Sequence, residues 1–381
     1  MRISVEQRRA RLGVRQGLAR RLDDPRAAAE SVVALHATDP ATVYLSAGAR
    51  LTAPGISAVE RALYDERTLV RMTGMRRTLF VVPSDLVGVV QWSSAAAIAA
   101  KERKTLSRAL LESGFDAAWV SGVEAAVVEA LREAGEASGA QLGGLVGGLR
   151  EQIVYGRGKS YETTQSVGMR LLYLMAMEGT LVRQGRPTGT WISGAHGWAL
   201  TGDIPVVDVR QAQAELVRRW LAAFGPGTEA DIKWWTGWTL GDVRKALASV
   251  GAVPVTLDEG TGYVLADDLE VGEPEPWAAF LPALDPTPMG WQARDWYLPA
   301  EHRADLFDRT GNVGPTVWWN GGVVGGWATR ESGEIAWELL EDVGSDARTA
   351  IEAEAARLSA WLGATKITPR FRTPLERKLS T

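Results

Sequence analysis

Near the start of this 381-residue chain, His36-Ala37-Thr38-Asp39-Pro40 sets three chemically able side chains within four positions. A neutral imidazole, with a reference pKa of about 6.5, can take a proton from water near neutral pH. A threonine hydroxyl offers two lone pairs and one proton, enough to hold that water but too weak to be its base. An aspartate adds a negative field or, standing before a proline, caps the helix that follows. Together the three suit attack by an activated water. Each also has a plainer use. His36 would serve as a helix C-terminal dipole partner or a half-buried imidazole, Thr38 as a turn residue, and Asp39 as a cap alone.

Other chemistries find little support. Cysteine is absent, which removes thiolate nucleophiles, Cys-ligated zinc and iron–sulfur clusters. His196 and His302 have no ligand spacing with His36, so neither metal nor other cofactor is expected. The run GRGKS at 156–160 echoes the end of a phosphate loop, but Ile153 stands where the first glycine is required. Its Arg157 and Lys159, flanked by Tyr155 and Tyr161, suit contact with a phosphate or an ordinary solvated turn. Tryptophan pairs such as Trp234-Trp235 and Trp318-Trp319 would stack on bases or fill the core.

The elements that must position these residues read as a repeat. Basic helical residues through Leu22 are followed by helices opened by Asp24-Pro25 (through Ala34) and by Asp39-Pro40, then a helix over 57–67. LVRMTGMRRTLFVVP (69–83) is two apolar runs about a turn, a hairpin. Helices over 116–135, 138–150 and 161–178 precede a second hairpin, and 209–224, 228–235 and 239–251 precede a third. Three helix–hairpin units in tandem are three winged helices. From about 271, strand-like runs broken by Gly, Pro and Asn predict a small β-barrel, then a helix over 346–362 and an exposed basic tail. The fold class is α+β. Its boundaries are 1–115, 116–203 and 204–270 for the winged helices, 271–345 for the barrel and 346–381 for the terminal helix and tail.

The net charge of −4 hides a polarity along the chain. Residues 1–80 hold 14 arginines against 8 acids, whereas residues 251–346 hold 4 against 18. One face would then attract phosphates while the rest repels them, or the surface is simply uneven. No apolar run nears the ~18 residues of a membrane span, and the basic N-terminus lacks a signal-peptide core, so a cytoplasmic protein is expected.

LHATDP, the hairpin LVRMTGMRRTLFVVP, and the late blocks LPALDPTPMGW and PTVWWNGGVVGGW resemble the AlkZ- and YcaQ-type DNA glycosylases over essentially the whole chain. The resemblance implies three winged helices with a C-terminal barrel, and catalysis by a Gln-x-Gln, Gln-x-Asp or His-x-Gln tripeptide followed by an acid. Here that tripeptide is His36-Ala37-Thr38, with Thr38 where the family carries an amide or carboxylate. It implies a monofunctional enzyme that frees N7-alkylated or bulky adducted purines from duplex DNA, crosslinked ones included, with His36, Thr38 and Asp39 at the water. Lysine is scarce near the motif, Lys101 being the nearest, which favours hydrolysis over Schiff-base chemistry. Arg71, Arg76 and Arg77 of the first hairpin, Arg157 and Lys159, and Gln292 and Arg294 are the expected DNA contacts of a monomer. The competing expectation is a non-enzymatic winged-helix regulator.

Overall fold

Helix starts follow capping chemistry. Ser4 accepts the Gln7 amide while the Gln7 side chain accepts from the Ser4 amide, and this reciprocal box begins α1 (Val5–Arg15). Asp24 and Asp39, each before a proline, cap α2 (Pro25–Glu30) and α3 (Pro40–Arg50). The second helix does not reach residue 34 as expected. Val33 adopts a left-handed φ of 66°, and Leu35–His36 form a short strand, β1. After α4 (Ile56–Glu60), β2 (Leu69–Thr73) and β3 (Leu79–Pro83) complete an antiparallel sheet of order β1-β3-β2, with His36 opposite Phe80. The computed structural model describes all residues except 184, 186–188, 193–195, 271 and 273.

That arrangement recurs. Beyond the short α5 (Val87–Val90) and long α6 (Ala96–Glu112) come α7 (Ala117–Ala134), β4 (Glu136–Ala137) and α8 (Gly139–Leu145). A two-stranded hairpin, β5 (Gln152–Tyr155) and β6 (Thr163–Ser166), is inserted before α9 (Val167–Met177), β7 (Leu181–Val182) and β8 (Trp198–Leu200). Residues 163–166, expected in a helix, are therefore a strand, and the helix starts at Val167. The third set is α10 (Val209–Phe224), β9 (Gly227–Thr228), α11 (Glu229–Thr236), α12 (Leu240–Ser249), β10 (Val253–Leu257) and β11 (Gly260–Val264). In all three, the short strand pairs with the second strand of the hairpin: β1 with β3, β4 with β8, β9 with β11.

The C-terminal block is not the expected barrel. β12 (Ala278–Leu281) is followed by the short α13 (Arg303–Leu306), then β13 (Thr316–Trp319), β14 (Gly322–Thr329) and β15 (Ile335–Leu339). The four strands form an open antiparallel sheet in that order, with β12 and β15 as edges. α14 (Gly344–Leu362) covers one face, its Ile351, Ala355 and Leu358 meeting Phe280, Val317 and Trp327. Leu281, Trp318 and Val323 join the main core on the other. A sheet buried on both faces reads as continuous apolar runs, the texture that a closed barrel also gives.

Among the described residues, two large cores hold most of the molecule, with smaller clusters beneath α14 and at the third hairpin. The first and third helix–hairpin units and the C-terminal sheet share one, around the fully buried Trp220, Trp291 and Trp318. Residues between Ala99 and Trp198 form the other, to which α6 contributes Leu106 and Leu110. Inside the first, Arg50 makes a bidentate ion pair with Asp285 at 2.8 and 2.9 Å, both side chains wholly buried. Thr287 and the Ser46 carbonyl accept further protons from the two terminal nitrogens, while the buried Nε of Arg50 has no partner among the described residues. No helix among the described residues is long and apolar enough to cross a membrane.

Candidate active site

The sheet positions the motif. β1 runs beside β3, and the Ala37 amide extends the pairing to the Leu79 carbonyl at 2.9 Å, fixing the turn that leads into α3. His36 packs edge-on against Phe80, ring centres 5.5 Å apart. Only 9% of it is exposed, and the Thr38 amide donates to its Nδ1 at 3.4 Å. That contact places the acceptor lone pair of the neutral ring on Nδ1 and its proton on Nε2. Burial, followed by the positive charge of Arg76, holds the imidazole pKa down to about 4.

Asp39 has both oxygens in use. Oδ1 accepts the Ala41 amide at 3.2 Å, the helix cap, and Oδ2 accepts the Arg370 amide at 2.9 Å. Burial still raises its pKa above the ordinary carboxylate range, against the pull of those two amides. The tail expected to lie exposed therefore folds back onto the motif. Beyond Arg370 it continues into α15 (Pro374–Leu379), whose Leu375 sits in the main core.

Thr38 opens onto a cleft of about 460 Å³ between the two cores. Thr73, Leu79 and Arg77 share its first wall; Tyr155, Met169, Arg170, Tyr173 and Arg183 form the opposite one; Arg370 stands at the side. The Arg170 guanidinium lies 4.1 Å from the centre of the Tyr155 ring and Arg183 lies 5.0 Å from that of Tyr173. Met169 and Tyr173, one turn apart on α9, are 57% and 41% exposed. Four arginines against one acid, Glu102, with apolar and aromatic surface between them, suit a polyanion carrying flat rings.

The other expected contacts divide. Arg77 lines the cleft, paired with Glu102 at 2.9 Å. Arg76 is exposed in a left-handed turn, φ 52°, and lays its guanidinium over Trp234 at 4.2 Å. The buried Arg294 approaches the same indole at 5.0 Å, so Trp234 meets guanidinium groups. Arg71 instead points inward from β2, 3% exposed, with Nη1 2.9 Å from Nδ1 of His196. Arg157 and Lys159 are exposed in the turn of the β5–β6 hairpin, beyond Tyr155. Gln292 lies apart, in a groove of about 710 Å³ that also holds Glu229 and Glu259, acids that repel phosphate. Arg170, Arg183 and Arg370 were not singled out from sequence. Exposed Met169 and Tyr173 four apart on a helix were the available signal for the cleft; nothing local marks Arg370.

A family model described as DNA glycosylase AlkZ-like matches residues 29–361. Among solved structures, the Streptomyces sahachiroi DNA glycosylase AlkZ superposes with a TM-score of 0.74 at 20% identity, over 97% of this chain and all of that one. At that identity the likeness speaks for the fold. No curated protein gives a significant match.

Proposed function

The chain belongs to the AlkZ-like DNA glycosylase family, and from that premise we propose that it hydrolyses the N-glycosidic bond of N7-alkylated or bulky adducted purines, crosslinked ones included, at the cleft beside Thr38. The observation that carries this reading is that the cationic, ring-lined cleft opens on the motif itself. The three helix–hairpin units are read as winged helices that carry the duplex, with the chain acting as a monomer.

An N7-alkylated purine is already cationic and leaves with little help, while the sugar passes through an oxocarbenium-like state. The protein must then supply a held water and lone pairs near C1′. His36 stays uncharged, so it adds no positive charge beside that cation. With a pKa of about 4, its Nδ1 has the proton affinity of a carboxylate. Such a weak base suffices because water becomes acidic only as it bonds to carbon. The Thr38 contact to Nδ1, long at 3.4 Å, is one that such a water replaces. The Thr38 hydroxyl is the second holder. Asp39 is read as a staple between α3 and the tail, its carboxylate occupied on both oxygens.

The test is base release from duplexes with a single N7-methylguanine or a single bulky aromatic N7 adduct. Release from both, leaving an abasic site, is expected, with kcat/KM favouring the bulky adduct. A strict preference for the methyl lesion contradicts the reading in which Tyr155 and Tyr173 offer the adduct's rings a surface to stack on.

A further inference from the structure

Residue 370 lies beyond the stretch that the family model matches, which ends at 361. The segment that carries it is tied down on both sides. Before it, Ile367 exchanges two hydrogen bonds of 2.7 Å with the Thr329 hydroxyl; after it, Thr373 is buried and Leu375 joins the main core. Between these anchors Arg370 is exposed and meets the catalytic turn twice. Its amide donates to Asp39 Oδ2 at 2.9 Å, and its Nη1 lies 3.4 Å from the Thr38 carbonyl oxygen. The guanidinium borders the cleft with Arg77, Arg170 and Arg183. Arg77 is paired with Glu102, whereas among the described residues no carboxylate lies within ion-pair distance of the Arg370 guanidinium, though its charge acts on Asp39.

We propose that Arg370 is a positioning and phosphate-binding residue of this site: its amide fixes the Thr38–Asp39 turn, and its guanidinium holds a phosphodiester of the strand that enters the cleft. The amide acts through Asp39. Oδ1 of that carboxylate starts α3 and Oδ2 anchors the tail, so one side chain sets the spacing between the motif and the C-terminal segment. The guanidinium has five N–H donors and spends one on Thr38, leaving a fork free for a phosphate oxygen. The inference rests on the glycosylase reading for its catalytic half and on DNA binding alone for the other.

Substitution separates the two halves. Arg370→Ala keeps the amide and loses the charge; Arg370→Lys keeps both; Arg370→Pro loses both. Arg370→Ala should weaken duplex binding by about three- to tenfold and flatten the salt slope by roughly one unit, with the slope restored in Arg370→Lys. Arg370→Pro should in addition slow single-turnover base release on the order of tenfold below Arg370→Ala, since a displaced turn misplaces the water. Asp39→Asn keeps the cap oxygen but can present an NH₂ to the Arg370 amide, and it should reproduce that rate loss with the tail's own sequence unchanged. The double variant Asp39→Asn/Arg370→Pro should then be no slower than the worse single one. Wild-type affinity and salt slope in Arg370→Ala would overturn the phosphate contact. Equal rates for Arg370→Ala, Arg370→Pro and Asp39→Asn would overturn the positioning role. A wild-type enzyme that binds duplex yet frees no alkylated base would end the glycosylase reading, while the salt slopes would still decide the contact.

Discussion

His36 shows how burial turns an ordinary residue into a usable one. In water it would be half protonated near pH 6.5; behind Phe80 and near Arg76 its pKa falls to about 4. The rate of base release should therefore stay level from pH 8 to about pH 5 and fall as the pH passes about 4, where Nδ1 takes a proton. A half-maximal point near pH 6.5 would place an unburied imidazole at the water. Stability carries the same sign. Below about pH 6.5 the unfolded chain protonates this histidine and the native chain does not, so stability declines as the pH drops from 6.5 towards 4, by roughly 3 kcal/mol at full extent. His196, held down to about 3 by burial beside Arg71 and Arg183, adds in the same direction. The Asp39 cap was legible from sequence, because an aspartate before a proline marks a helix start. The second partner of Asp39 was not, lying 331 positions away. Arg71 was misread for a physical reason: charged residues rarely face inward, but on β2 it shares a face with the buried Leu69.

At the scale of elements, the charge polarity finds a use other than the one expected. The arginine face of α1 is turned inward, leaving Glu6, Gln7 and Val14 exposed. Arg8 pairs with Glu259 at 2.5 Å, Arg11 with Asp268 at 3.1 Å, and Arg15 shares that same Asp268. Much of the arginine excess of the first 80 residues thus meets the acid excess after 251, docking α1 on the third unit. Asp268→Ala leaves two largely buried guanidinium groups without their carboxylate. It should lower the thermal midpoint while leaving the salt slope of DNA binding unchanged; a changed slope would show that α1 touches phosphate. Helix starts were readable at several capped positions, as at Ser138, Thr228 and Thr239, though not at the Ser4 box of α1. The ends that failed lacked such marks. β1 looked like the last turn of a helix because Val32, Val33 and Leu35 are apolar, and only the left-handed Val33 stops it. β6, TTQS, is too short and polar to announce a strand.

For the whole molecule, the cleft between two cores is the feature that sequence could least supply. It is assembled from residues 38, 77, 155, 173, 183 and 370, which only the tertiary arrangement brings together. The Arg50–Asp285 pair and the docking of Gln292 and Ala293 amides on Asp231 join distant segments of the larger core in the same way. If this cleft is the site of hydrolysis by water held at His36, one comparison tests it most directly: single-turnover release from a duplex bearing a stable N7 adduct, wild type against His36→Ala. Loss of His36 should slow release by about 10²–10⁴, the usual worth of a general base, with little change in duplex affinity. Release at the wild-type rate in His36→Ala would remove this histidine, and with it the proposed water site, from the mechanism.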